Sequence, residues 1–324
     1  MWAERWPRFI VISRRLGYQI ILFLTIANIS LNLIYTFQFE SGSGWQNEFV
    51  DDFQVSDYVS SPVNCVSLPD RKENLYRVST DSLTGINGRP ENVAILNDYY
   101  GLTYWFSIIN QNTQNYVDAS NEEVMNWRSY GFRQQIITEA LAGTEYYCSR
   151  EVLDPGEGYV LAESFLFQNE TWYLYRNPYY LGFAYTAENP EEYHEESSLE
   201  DYSRSLYRTC SSEDISDAHY DNRENTFQCH TSASRSEKLM IAIPYSSDWK
   251  AYMDGTRVQT EKFNMFILLN LPEGQHDIAL HYSNSSFILG LLTSAASLVF
   301  SISLHKRKIT YGETIRCRDR IAIQ

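Results

Sequence analysis

The stretch WKAYMDGTRV, residues 249–258, is the clearest fold signal in this sequence. Apolar and polar side chains alternate before its Asp254-Gly255 pair, as they do in a half-buried strand. An Asp-Gly pair favours the type I′ turn that joins two antiparallel strands, because both positions accept a positive φ. The stretch therefore predicts a β-hairpin. We interpret Trp249 as a core residue between two sheets, with a sugar-stacking surface as the alternative.

Short apolar runs separated by turn residues predict further strands on both sides of this hairpin. The last two of these runs, 266–271 and 276–282, are expected to pair with each other across residues 272–275. One helical stretch is expected at 121–141. Regularly spaced short strands are typical of a β-sandwich or jelly roll with some helix. The remaining strands are predicted at 74–79, 159–167, 171–175 and 239–244.

The distribution of charge indicates a membrane protein. The formal net charge of the 324 residues is −15 at pH 7, which argues against non-specific binding of nucleic acid. Residues 1–15 nevertheless carry a net charge of +3, and residues 305–324 carry +4. Basic ends around an acidic middle are typical of a membrane protein with both termini in the cytoplasm.

Two uncharged runs, residues 16–37 and 286–304, predict transmembrane helices, since about 20 apolar residues cross a bilayer. A cleaved signal peptide is the alternative for the first run. Its apolar core is longer than the roughly 7–15 residues usual in such peptides. The predicted organisation is cytoplasmic tails at 1–15 and 305–324 and a mainly β extracytoplasmic domain at 38–285. The fold class is therefore a membrane-anchored, jelly-roll or sandwich-like β domain with one helix at each end.

Five cysteines occur, four of them in the predicted outer domain: Cys65, Cys148, Cys210 and Cys229. Four cysteines allow three complete pairings, which the sequence leaves open. We favour a disulfide between Cys210 and Cys229, because they are the nearest pair and flank a polar segment. No C-x-x-C motif occurs, so the sequence indicates no redox or zinc motif, and we expect no metal and no cofactor.

Residues 188–225 are rich in glutamate and aspartate and poor in aliphatic side chains. A calcium site is one interpretation, because hard cations prefer clustered carboxylates. The spacing of the carboxylates fits no EF-hand loop, and no glycine stands where a tight cage would need one. We therefore predict a solvated acidic loop.

Two segments near the end of the chain, Ile243–Gly255 and Leu271–Tyr282, closely resemble the C-terminal part of the bacterial YfhO family of membrane proteins. Further similar stretches lie at 97–102, at 143–147 with Glu145 where lysine is usual, and at 175–183. The resemblance implies a GT-C-like glycosyltransferase that modifies cell-surface polymers, such as lipoteichoic acid, from a polyprenyl-phosphate sugar.

In that family the catalytic carboxylate lies near the start of a many-helix bundle, and this chain begins at what resembles the last helix of the bundle. The resemblance therefore supplies no catalytic residue. It implies half of a split or truncated protein, or an accessory subunit, that acts with a polytopic partner chain and the membrane. A non-enzymatic ectodomain for sensing or scaffolding at the envelope is the alternative function.

A search for catalytic motifs finds no G-x-S-x-G, H-E-x-x-H or P-loop pattern. Contact with a glycan is indicated instead, because tyrosine and tryptophan rings offer flat apolar faces with a polar end. The alternative for each ring is the aromatic core of a sandwich. The predicted groove for a cell-surface polymer or glycan consists of Asn97, Tyr99, Tyr100, Trp105 and Asn110.

Overall fold

A computed structural model of the chain describes residues 19, 22–30, 60–70, 74–80, 92–105, 110–120, 128–132, 135–194, 197–300 and 302–303. The chain divides into two compact units, residues 1–60 with 83–90, and residues 61–82 with 91–324. The described part of the first unit includes a helical run at 22–30. The sheets described below belong to the second unit.

The strands and helices of the second unit have the following bounds. The helices are α1 (Val93–Leu96), α2 (Gln111–Asp118), α3 (Ile136–Leu141) and α4 (Leu199–Tyr207). The first eight strands are β1 (Arg77–Thr80), β2 (Thr103–Trp105), β3 (Arg128–Tyr130), β4 (Thr144–Ser149), β5 (Val160–Phe167), β6 (Glu170–Arg176), β7 (Ala184–Ala187) and β8 (Cys210–Ser211). The second eight are β9 (Ile215–Asp221), β10 (Thr226–Ala233), β11 (Glu237–Pro244), β12 (Trp249–Met253), β13 (Thr256–Val258), β14 (Glu261–Phe263), β15 (Phe266–Leu271) and β16 (Gly274–Tyr282).

Two five-stranded antiparallel sheets form a sandwich. The central sheet has the order β14-β15-β11-β7-β8, and the flanking sheet has the order β13-β12-β16-β10-β9. Their facing side chains form one apolar core, in which Trp249 is 7 % exposed, as the sequence predicts. The core is largely made of Phe227, Cys229, Trp249, Ala251, Ile278 and Leu280 from the flanking sheet and Leu239, Ile241, Ile267 and Leu269 from the central sheet.

The last two strands lie where they were predicted, but their predicted pairing is wrong. β15 pairs with β11 and β14 in the central sheet, whereas β16 pairs with β10 and β12 in the flanking sheet. The connection between β15 and β16 therefore crosses from one sheet to the other. Alternating apolar residues specify which face of a strand is buried, but they do not specify its neighbour.

The central sheet is buried on both faces. Its second face packs against α2, α3 and α4, with Met240, Ala242 and Tyr185 in that second core. The Tyr185 hydroxyl donates a hydrogen bond to the carbonyl oxygen of Leu141, at 2.9 Å, at the end of α3. Burial on both faces explains why residues 239–243 form a continuous apolar run rather than an alternating one.

The third sheet has the order β1-β4-β6-β5, in which β1 is parallel to β4. The strands predicted at 159–167 and 171–175 are confirmed as β5 and β6. They form a hairpin whose turn residues Gln168 and Asn169 both have positive φ. The predicted helix at 121–141 is confirmed only at its end, as α3. Residues 128–130 form a strand, and residues 121–127 lie outside the described part of the chain.

The mainly β character of the predicted fold class is confirmed. The transmembrane helices predicted at 16–37 and 286–304 are not supported, and this corrects the predicted fold class. No helix within the described ranges is both long and apolar enough to cross a membrane. The predicted tails 1–15 and 305–324 lie outside the described residues.

The acidic segment 188–225 contains α4, β8 and β9 rather than one continuous loop. Helix α4 begins after Ser198, whose hydroxyl oxygen accepts a hydrogen bond from the backbone N–H of Asp201 at 3.1 Å. This is an N-cap, and Leu199 and Leu206 anchor the helix in the second core. The N-cap and the two buried leucines stabilise a helix in this segment in spite of its acidic composition.

The cysteines are free wherever the structure describes them, and the expected bond between Cys210 and Cys229 is not formed. Cys229 lies in the core between the two sheets, whereas Cys210 packs against the core on the opposite face of the central sheet. The central sheet therefore separates the two sulfur atoms. Burial raises the pKa of each thiol to about 12, which disfavours the reactive thiolate.

Alkylation of the folded chain is expected to modify Cys65 first, because that side chain is exposed. The buried thiols of Cys148 and Cys229 should react only after denaturation. Peptide mass spectrometry after iodoacetamide treatment, without reductant, measures both steps. Recovery of a peptide that joins Cys210 to Cys229 would contradict the arrangement described here.

Candidate functional site

Two of the predicted glycan-contact residues lie against the short 3-10 turn Pro62–Cys65 and its N-cap Ser61. Asn97 ends α1, and its side-chain nitrogen donates to the carbonyl oxygen of Val93 at 2.8 Å. Its side-chain oxygen accepts a hydrogen bond from Asn64 at 2.5 Å. Tyr99 is buried, and its hydroxyl accepts a hydrogen bond from that of Ser61 at 3.2 Å. Both side chains hold this turn in place.

The other three predicted residues lie elsewhere in the fold. The Tyr100 hydroxyl donates to the side-chain oxygen of Asn222 at 3.1 Å, and the ring packs against the sandwich core. Asn110 is the N-cap of α2, and its side-chain nitrogen donates to the carbonyl oxygen of Tyr245 at 2.7 Å. Trp105 lies on β2, and its side chain is outside the described part. The four predicted residues whose side chains are described therefore do not share one groove.

A polar cleft of about 950 Å³ opens instead beside α2 and the edge strand β14. We call it the tyrosine cleft. None of the four predicted residues whose side chains the structure describes lines it, although Asn110 caps the helix that forms one wall. Its lining consists of Asn112, Asn115, Tyr116, Asp118 and Ala119 from α2 and its end, Glu192, Tyr193, Ser197 and Ser198 before α4, and Lys262 and Asn264 near β14.

Three tyrosine rings are stacked edge-to-face behind one wall of the tyrosine cleft. The ring centres of Tyr193 and Tyr202 are 5.4 Å apart, and those of Tyr116 and Tyr193 are 6.5 Å apart. Tyr116 is 4 % exposed and belongs to the second core, and burial raises the pKa of its hydroxyl well above the ordinary value. The tyrosine cleft thus has a rigid aromatic wall anchored in the core.

Asn264 fastens this wall to the turn between β14 and β15. Its φ of 53° is in the left-handed region, which asparagine tolerates better than most residues. Its side-chain oxygen accepts from the backbone N–H of Tyr193 at 2.9 Å, and its nitrogen donates to the hydroxyl of Tyr202 at 2.8 Å. The Tyr202 hydroxyl in turn donates to the carbonyl oxygen of Glu191 at 2.7 Å. One turn residue therefore orients two rings.

The rim of the tyrosine cleft is made of amide and charged groups. The side chain of Gln114 donates to the carboxylate of Asp118 at 2.6 Å, which holds that carboxylate in place along α2. Within the described ranges, no side-chain hydrogen bond is formed by Asn112, Glu192 or Lys262. These three groups are available to a ligand. Amide, carboxylate and ammonium groups beside an aromatic wall are suited to binding a hydroxylated molecule.

The sequence matches the family described as bacterial membrane protein YfhO over residues 8–202 and 198–294. These matches cover most of the chain. The chain belongs to the YfhO family. It is therefore a membrane protein, and the resemblance inferred from its motifs is confirmed. A search of curated proteins found no match, and neither did a search of solved structures.

Both YfhO-matching segments contribute to the tyrosine cleft. The first contains α2 and the lining residues Glu192, Tyr193 and Ser197, and the second contains Lys262 and Asn264. The three pieces are far apart in sequence, and the central sheet and α4 bring them together. Asn264 was missed by sequence reasoning, although an asparagine between two apolar strands is a signal for a turn with positive φ.

Proposed function

We propose that this YfhO-family protein takes part in glycosylation of a cell-envelope polymer, and that its β-rich domain binds the polymer outside the cytoplasm. The observation that supports the proposal is the tyrosine cleft, in which an aromatic wall faces unpaired polar groups. The ligand is the hydroxylated part of the polymer, whether sugar or polyol. Transfer of the sugar itself, from a polyprenyl-phosphate donor, is assigned to a many-span partner chain, as the family resemblance implies.

The chemistry of the lining supports a hydroxylated ligand. The Asn112 amide both donates and accepts hydrogen bonds, as a hydroxyl group requires. Asp118 and Glu192 accept only, and Lys262 donates and carries positive charge that pairs with a phosphate of the same polymer.

The residues predicted from the sequence have supporting roles in this proposal. Asn110 positions the cleft by capping α2 and tying it to Tyr245. Asn97, Tyr99 and Tyr100 stabilise the fold around the 3-10 turn and the sandwich core. A glycan contact by Trp105 stays a prediction.

Replacing Asn112 and Lys262 together by alanine is expected to weaken binding of purified lipoteichoic acid about tenfold. Each substitution removes a polar contact that contributes roughly 0.5–1.5 kcal/mol. Lys262 is exposed, and Asn112 is half-buried but forms no side-chain hydrogen bond within the described residues, so the fold is retained. Isothermal titration of the full chain in detergent, at about 0.15 M salt to screen long-range charge, measures the change.

The matched control replaces Asn270 and Lys238 by alanine. These are the same residue types, here both on the central sheet, but they lie outside the tyrosine cleft and form a hydrogen bond with each other. We expect the control to bind the polymer as the unmodified chain does. Equal weakening by both pairs, or no weakening by the first pair, would show that the tyrosine cleft is not the binding site.

A further inference from the structure

A second groove, of about 600 Å³, lies on the face of the flanking sheet that points away from the sandwich core. We call it the histidine groove. It is open to solvent and shares no residue with the tyrosine cleft. Its side chains come from β9, β10, β12 and β16, with Gly255 from the hairpin turn. The lining consists of Asp217, His219, Gln228, Cys229, His230, Tyr252, Gly255, Asp277, Ile278, Ala279 and His281.

The floor of the histidine groove follows from strand register. Tyr252 pairs with Ala279, Ala279 pairs with Gln228, and Gln228 pairs with His219, so the four side chains form one row across four strands. Residues in direct register on one face have neighbouring side chains. Ala279 has the smallest side chain of the row, which leaves a depression between the tyrosine ring and the glutamine amide.

Hydrogen-bond acceptors predominate around this depression. The Nδ1 atom of His219 lies 3.0 Å from the carbonyl oxygen of Asp217, which can only accept, so Nδ1 carries the proton. The Nδ1 atom of His230 bonds in the same way to the carboxylate of Asp277. In each neutral ring the Nε2 atom is then an acceptor. Two imidazole nitrogens and two carboxylates therefore face a ligand.

An aromatic platform stands at one end of the row. The rings of Tyr252 and His281 are 5.5 Å apart at an angle of 78°, an edge-to-face contact. Tyr252 is half-buried and lines the groove, so part of its ring is accessible from the groove. An apolar ring face beside several acceptors is suited to a molecule with C–H groups on one side and hydroxyl donors around its edge.

The alternatives to a sugar fit less well. Three histidines suggest a metal ion, but no group of three histidine, cysteine, aspartate or glutamate side chains in the described part of the chain has the geometry for one. A phosphate-bearing ligand is opposed by Asp217 and Asp277. Of the nearby basic residues on the same sheet, Lys250 donates to the carbonyl oxygen of Ser247 at 2.7 Å, and Arg257 is in register with Tyr252. Neither of them lines the groove.

We propose that the histidine groove is a second carbohydrate site, which takes one neutral sugar residue. The sugar ring stacks on Tyr252, and its hydroxyl groups donate to His230 and Asp277 and exchange hydrogen bonds with the amide of Gln228. The inference extends the proposed glycan-binding role of the domain, but it rests on its own residues and on a different ligand charge. The tyrosine cleft then holds the polymer, and the groove holds an uncharged sugar unit.

The test is saturation-transfer NMR of the full chain with maltose, cellobiose and chitobiose, in a detergent whose headgroup is not a sugar. At least one of these neutral disaccharides is expected to bind. Tyr252→Ala should weaken that binding at least tenfold, since it removes the platform. Tyr252→Phe keeps the ring and should change the Kd by less than about threefold. Circular dichroism verifies that both variants are folded.

A glutamine pair supplies the matched control. Gln228→Ala removes an amide from the floor of the groove and should weaken disaccharide binding several-fold. Gln275→Ala removes the same group from β16, in register with Ser232 and outside the groove, and should leave binding unchanged. The Asn112 and Lys262 double variant should also leave it unchanged, which separates this site from the tyrosine cleft. No binding of any of the three disaccharides, or equal loss in Tyr252→Ala and Tyr252→Phe, would overturn the proposal.

Discussion

Trp172→Ala is expected to lower the free energy of unfolding by about 3–5 kcal/mol, the loss typical of a buried aromatic ring. Trp172 lies on β6 and has no exposed surface. Its ring packs edge-to-face on that of Phe167, with the centres 5.8 Å apart, and the Arg150 guanidinium lies 5.9 Å from the ring centre. Alanine would leave a cavity in the four-stranded sheet that the neighbouring rings fill only in part.

Trp172→Phe is the matched control for that variant. The indole N–H of Trp172 has no hydrogen-bond partner within the described residues, and a buried unpaired donor is costly. Phenylalanine keeps most of the ring and removes this donor, so we expect a loss of at most about 2 kcal/mol. Urea unfolding of both variants, followed by circular dichroism in detergent, gives the two values. Equal losses would show that ring volume is not what stabilises this sheet.

Gly143→Ala is the second substitution with a large expected effect, a loss of about 2–4 kcal/mol. Gly143 has a φ of +78°, in the left-handed region, and follows α3. A Cβ atom there would lie 3.1 Å from the ring of Phe183 and 3.3 Å from the guanidinium of Arg77. The guanidinium carbon of Arg77 lies 4.3 Å from the centre of the Phe183 ring, and the guanidinium donates a hydrogen bond to the carbonyl oxygen of Ala142. Burial lowers its pKa to about 10.

Gly255→Ala measures how much of the stability loss in Gly143→Ala comes from the backbone conformation alone. Gly255 has nearly the same φ, +75°, but a Cβ atom there would have no neighbour within 4 Å. We expect a loss of about 1 kcal/mol, from backbone strain alone. The difference between the two unfolding free energies measures the crowding of Phe183 and Arg77. If the two glycine variants were equally stable, the contact of Gly143 with these side chains would contribute nothing.

Local features of the fold could be predicted from the sequence, because neighbouring residues determine them. The Asp254-Gly255 turn and the hairpin of β5 and β6 depend on a few adjacent φ values and on alternation. The pairing of β15 and β16 could not be predicted, since it depends on which sheet each strand joins.

The candidate site was harder to predict than the fold. The sequence shows that tyrosine and asparagine are abundant, which indicated a site of aromatic rings and amide groups. It does not show which of them meet. Asn110 and Asn97 became caps of helices, whereas Asn264, 62 positions from Tyr202, orients the ring wall. Such contacts between residues that are distant in sequence depend on how the complete sheets pack.

Strand β11 is a wall shared by two cores, and this limits how the protein can change. Leu239 and Ile241 fill one side, while Met240 and Ala242 fill the other. In a strand with one buried face, an enlarged side chain can be relieved by a small shift toward solvent. Here any shift away from one core compresses the other. Accepted substitutions along β11 should therefore conserve volume or occur in compensating pairs across the strand.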